Sequence, residues 1–197
     1  MTAPKRIGRD SATRKALIQA TAQIMLEEGY AAATSRRVAA KAGVKPALVH
    51  YYFPSMDDLF LAVLRAGAET NLVRQREALA DDQPLHALWQ HNNVHGARLL
   101  MEFMALANHR KEIRSEIVAY AARFGDMEES AVALALRAHG VDTTEFPPVV
   151  MSMIVTSLAR ILVLERSLGI TRGHAEAGEF IERLLDRYEM PPANGDR

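Results

Sequence analysis

Cysteine is absent from this 197-residue chain, which excludes a disulfide framework and any thiolate metal site and fits a reducing cytoplasm. No window approaches eighteen uninterrupted apolar residues, and the basic start MTAPKRIGRDSATRK has no signal-type apolar run behind it. The expectation is a soluble, unprocessed, cytoplasmic protein without a membrane partner. Glycine-rich phosphate loops, GxSxG and HExxH are missing, so no enzyme and no cofactor is expected and none of these motifs marks a bound metal. Period-two alternation and internal repeats are missing too, which leaves helices as the building material. Aromatic residues reach only 6%, yet apolar residues make up 49%, ample for a buried core.

Net charge is also lacking, with 24 basic and 24 acidic residues, but the balance hides an asymmetry. Residues 1–55 hold nine Lys/Arg against three acids, giving +6, and the remainder carries −6. Clustered cations on one segment suit phosphate neutralisation, so the split reads as a nucleic-acid-binding head on an acidic body.

What is present is concentrated in Thr34–Leu59, TSRRVAAKAGVKPALVHYYFPSMDDL. A short helix from about Ser35 to Ala42, ended by Gly43, and a second opening at Pro46 have the shape of a helix-turn-helix. Val38, Ala39 and Ala42 face inward, Val44, Val49 and Phe53 supply an apolar wedge, and small Ala39 and Ala47 permit close crossing. Thr34, Arg36, Arg37, Lys41, Lys45, His50, Tyr51 and Tyr52 are left pointing outward, a set of phosphate and base-edge binders without one acid. Thr34 also stands where its hydroxyl can cap the first of these helices. One of the two tyrosines is expected partly buried against a preceding helix, from about Ser11 to Glu28, which completes a three-helix head. Arg14 lies near that helix's start, where cation and helix dipole together favour a phosphate. The first ten residues, with Lys5, Arg6 and Arg9, form a basic arm that either reaches into a minor groove or is simply solvated.

The residues Gly29-Tyr30, Ala33-Thr34, Arg36-Arg37-Val38-Ala39, Ala42-Gly43-Val44, Leu48-Val49-His50-Tyr51-Tyr52-Phe53, Ser55 and Asp57-Asp58-Leu59 carry a specific spacing. Over roughly residues 11–62 the chain resembles the TetR family of bacterial transcriptional regulators. The resemblance implies that His50 and Tyr52 sit at the DNA backbone and that Lys45, Pro46, Ala47 and Tyr51 lie nearest to base edges. There Ala47 would meet a thymine methyl and Lys45 a guanine. It also implies that the helix from Ser55 to about Ala80 is the lever of induction. His50 stands where many relatives have tyrosine, Met56 where a lysine touches phosphate, and Lys45 where a serine is common. The second exchange removes a cation; the third supplies one nearby.

Beyond the lever, the helical pattern predicts one long helix over Leu85–Asn108, one or two over Lys111–His139 with Gly125 a possible bend, a very apolar helix through Leu168, and a last one over Glu176–Tyr188. The apolar helix is either the central core helix or one that also meets its own copy across a two-fold axis. In the second case Ile154, Leu158, Ile161 and Leu162, with Phe180, Ile181 and Leu184, complete a four-helix dimer interface. Two-fold symmetry would set two heads one DNA turn apart, about 34–36 Å.

For sensing, separations of four and seven residues place His91, His95 and Glu102 on a single helical stripe. They read as a metal site, as the polar anchor of an organic-ligand cavity, or as a surface ladder with Arg98. Trp89, Phe103, Tyr120, Phe124, Met127 and Met151 are candidates for the apolar lining of such a cavity. The sequence thus predicts an all-α protein: a helix-turn-helix DNA-binding domain over 1–55, a helical ligand-binding and dimerisation domain over 56–190, and a disordered tail over 191–197. The function read from it is a homodimeric, small-molecule-responsive regulator, a repressor of a palindromic double-stranded DNA operator. The alternatives are an activator or ligand-independent regulator of the same fold, or a metal sensor or enzyme using His91, His95 and Glu102.

Overall fold

A computed structural model describes residues 4–81, 83–91 and 94–189, apart from the side chains of residues 4–10, His91, Val94 and Glu189. The cations of the basic arm, the His91 ring and the tail over 191–197 therefore lie outside the described residues.

The described residues form helices joined by turns and short irregular segments, with no strand. Helix α1 spans Pro4–Glu28 and is followed by one 3-10 turn, Tyr30–Ala32. Then come α2 (Ser35–Lys41), α3 (Pro46–Tyr52), α4 (Met56–Leu79), α5 (Pro84–His91), α6 (Val94–Ala107), α7 (Lys111–Ala138), α8 (Pro148–Ser167) and α9 (His174–Glu189). Pro46, Pro84 and Pro148 open α3, α5 and α8, where the missing N–H of proline costs nothing. Helix α4 opens on a reciprocal cap: the Asp58 amide donates to Ser55 Oγ at 3.1 Å, and the Ser55 amide and hydroxyl donate back to the Asp58 carboxylate.

One departure from the sequence pattern affects function. Helix α1 begins at Pro4, not near Ser11, so Arg14 stands three turns inside it and the helix-dipole rationale for a phosphate there does not hold. Of the expected helix over Leu85–Asn108 the described residues show α5 and α6, and Asn92 and Asn93 between them lie outside the described residues. Gly125, by contrast, leaves α7 unbroken.

The packing forms two compact units, one ending at Thr70 and taking in Arg98–Val118, the other made of Asn71–Ala97 and the residues from Ala119 onward. The first unit gathers Leu17, Ile24 and Met25 of α1, Val38 and Ala39 of α2, Val49 of α3, Phe53, and Leu59, Phe60 and Val63 of α4 around one core, closed by Phe103, Leu106 and Ile113. The second packs Leu85 of α5, Val132 and Leu136 of α7, Met151 and Val155 of α8, and Ile181 and Leu185 of α9. Helix α8 alone among the described residues is long and apolar enough to cross a membrane by length and composition. Its buried residues, however, include Ser152 and Thr156, whose hydroxyls return to carbonyls of their own helix.

Candidate nucleic-acid interface

The turn between α2 and α3 is set by one residue's freedom. Gly43 has φ 67°, a left-handed conformation that costs a side-chain-bearing residue about 1–2 kcal/mol. Through it the Gly43 amide reaches the Ala40 carbonyl at 3.2 Å and the Val44 amide the Ala39 carbonyl at 2.9 Å, the paired bonds of a Schellman stop. Two residues later Pro46 opens α3. Thr34 caps α2 by accepting the Arg37 amide at 3.4 Å, a long bond.

The outward face follows from this geometry. Val38, Ala39, Val49 and Phe53 are buried, while Arg36, Lys45, Pro46, Ala47, His50 and Tyr51 are exposed. The tyrosine pair divides: Tyr51 is 69% exposed, Tyr52 is half-buried against the core, and their rings meet edge to face at 5.0 Å. Arg14 holds its guanidinium over the Phe53 ring at 5.1 Å, tying α1 to the end of α3. Arg37 pairs with Glu28, and Lys41 pairs with Glu27 at 2.6 Å. These acids crowd the end of α1, where a helix dipole disfavours negative charge, and α2 supplies the compensating cations. The hydrogen bonds from Lys41 and Gln23 hold Glu27 below the usual carboxylate range. As exposed pairs they fix the α1–α2 angle more than they stabilise.

Residues proposed for sensing scatter. Glu102 is turned to the head, its Oε2 accepting the Tyr30 amide at 2.7 Å, and neighbouring Phe103 is core of the first unit at 1% exposed. In the second unit His95 is exposed, Trp89, Phe124 and Met127 are half-buried, and Tyr120 and Met151 are buried. Tyr120 and Phe124 lie 6.4 Å apart on α7. Among the described residues no group of three or more His, Asp and Glu side chains is arranged to hold a metal. Of the residues expected at a dimer interface, Ile154, Ile161 and Phe180 are exposed and Leu158 and Leu184 half-buried. Leu162 and Ile181 are buried in their own unit, Ile181 completely, because they point to the inner side of α8 and α9; they are core residues.

Sequence reasoning missed a polar seam in the second unit. Gln75, 2% exposed, donates to Glu128 at 2.9 Å and has a buried Oε1 with no hydrogen-bond partner among the described residues, while Thr156 and Arg160 also act on Glu128. Burial pushes the Glu128 carboxyl above its ordinary range against all three partners. The available signal was a polar residue on the apolar stripe of α4, since Gln75 follows Leu72 by three. His86, between Glu182 and Asp186 at 3.4 and 3.3 Å, was missed as well.

The family model described as "Bacterial regulatory proteins, tetR family" matches residues 17–63, the stretch that builds this face. Over these residues the head matches the TetR family. A curated relative, the HTH-type transcriptional regulator BetI of Rhizobium meliloti (strain 1021), is 38% identical over 61 residues, covering 31% of this chain and 30% of the relative. The matched stretch thus spans less than a third of that relative's length. Solved structures extend the likeness of fold. A TetR transcription regulator from Haloarcula marismortui superimposes with TM-score 0.72 at 18% identity, over 89% of this chain and 96% of its own. A Saccharomonospora viridis protein solved in complex with choline gives 0.72 at 20%, over 87% and 96%. Sequence likeness is therefore concentrated in the head, and the rest shares architecture.

Proposed function

We propose that the chain is a DNA-binding transcriptional regulator, cytoplasmic and homodimeric, which represses from a palindromic operator and is released by a small molecule. The observation that carries this reading is the acid-free exposed face of α2 and α3, with Arg36, Lys45, His50 and Tyr51 outward and Val38, Val49 and Phe53 locked beneath it. Arg14, Thr34, Arg36, Arg37, His50 and Tyr52 serve the sugar–phosphate backbone in this reading. Lys45, Pro46, Ala47 and Tyr51 serve base edges in the major groove. The apolar surface left by Ile154, Ile161 and Phe180 on α8 and α9 suits a second copy, which sets the two heads at a half-site spacing.

The effector site in this reading is the seam of Gln75, Glu128 and Thr156, where a buried carbonyl oxygen lacks a donor and a raised carboxyl stands beside it. It suits a small molecule bearing a hydrogen-bond donor. The choline bound by the Saccharomonospora viridis protein, which carries a hydroxyl and a cationic head, is the first compound to test. The deciding experiment is a salt titration of the full-length protein on the DNA flanking its own gene, with a random duplex as control. Affinity for the flanking DNA a thousandfold or more above random, on the order expected of specific binders, supports the regulator. Equal affinity for both would refute it.

A further inference from the structure

The end of α1 is a broken hydrogen bond whose two halves are both taken up by α6. In a continuing helix the Tyr30 amide would donate to the Leu26 carbonyl, as the Gly29 amide does to Met25 at 3.0 Å. At Gly29, φ 85°, the chain turns away and separates the pair. Arg98 Nη2 then donates to the Leu26 carbonyl at 2.7 Å, and Glu102 Oε2 accepts the Tyr30 amide at 2.7 Å. The two side chains lie one turn apart on α6 and 72 residues from their partners. Gly29 offers the following 3-10 turn no side-chain cap of its own, so Glu102 supplies it from a distance.

Resting on the DNA-binding reading above, we propose that Arg98 and Glu102 are positioning residues of the DNA-binding head. Together they hold open the α1 end and so fix the angle at which the chain leaves for α2 and the recognition helix α3. The Glu28–Arg37 and Glu27–Lys41 pairs carry that angle from the last turn of α1 directly to α2. A displacement of α6 by about 1.5 Å, one residue's rise, directed away from the end of α1 stretches both 2.7 Å contacts beyond hydrogen-bond range. Leu26 and Tyr30 are then free to pair with each other, which lengthens α1 and swings α2. The head therefore has two hydrogen-bonded arrangements, and the position of α6 chooses between them.

The test uses the full-length protein with Glu102→Ala, Glu102→Gln and Arg98→Ala. It reads amide hydrogen exchange at Tyr30 and across α2 and α3, together with affinity for operator and random DNA. Glu102→Ala is expected to raise exchange at Tyr30 and in α2 and to cut the operator-to-random ratio about tenfold, the size of a charge-assisted hydrogen bond. Glu102→Gln keeps an acceptor oxygen and is expected to stay within about threefold of wild type. Exchange changes confined to Tyr30 with an unchanged ratio would overturn the proposal, as would Glu102→Gln behaving like Glu102→Ala. If Glu102→Ala fails to fold, Arg98→Ala, which frees only the Leu26 carbonyl, carries the same comparison. If the wild type itself prefers no DNA, the regulator reading fails while exchange in α2 still decides the clamp.

Discussion

Gln75 of α4 donates its side-chain amide to Glu128 of α7 at 2.9 Å, yet Glu128 is held above the ordinary glutamate value of 4.5 because burial outweighs Arg160, Thr156 and Gln75 together. A carboxyl whose folded pKa is raised keeps a proton in the fold that the unfolded chain has already released. Its stabilising contribution is thus full below the unfolded value and is lost as pH rises through the folded one. Glu128→Gln removes that loss while keeping a partner for Gln75. The variant is expected to gain in melting temperature over wild type as pH rises from about 4 to about 7.5, the gain levelling off above the folded pKa of Glu128. A gain of constant size across that range would contradict the burial argument.

Two glycines are expected to respond to alanine with opposite signs. Gly43 has open space about it but a φ of 67°, so Gly43→Ala is expected to lose about 1 kcal/mol from backbone strain alone and to weaken operator binding by shifting α3. Gly67 lies inside α4, also in open space and with ordinary helical backbone, so Gly67→Ala is expected to gain about 0.5–1 kcal/mol. Urea unfolding of both variants at one pH separates them; a loss at Gly67 would show that α4 needs its flexibility there.

These contrasts mark what the sequence could show. Gly43 and Pro46 announce the turn because local backbone rules alone require them, and the buried and exposed positions of α2 and α3 follow from helical period. Glu102 was legible as a helix-face carboxylate, but its partner is a backbone amide 72 residues away, and no local pattern encodes that pairing. Phe180 and Ile181 are neighbours of equal apolarity; only packing tells that the first is 57% exposed and the second fully buried.

Cations on the head are expected to divide by role. Lys45→Ala is predicted to cost about 1–3 kcal/mol at one operator position and to relax preference there, as expected of a base-edge contact. Arg36→Ala is predicted to weaken operator and random DNA alike and to lower the salt slope by about one. Competition binding against single-position operator variants at two salt concentrations reads both effects. Identical behaviour of the two variants would remove Lys45 from the base-edge set.

The last contrast concerns α9, where adjacent residues serve different surfaces. Phe180→Asp places a charge on an exposed apolar position, so it is expected to leave the chain folded and to shift it from dimer to monomer. Ile181→Asp buries a charge in the core with Leu185 and Val155, a change expected to cost more than about 4 kcal/mol and to unfold the second unit. Sedimentation separates monomer from dimer, and far-UV circular dichroism reports folding. A dimeric Phe180→Asp would move the two-fold contact away from this face. A monomeric one that also loses operator affinity, while keeping its helix content, would tie the DNA reading to the pairing of two heads.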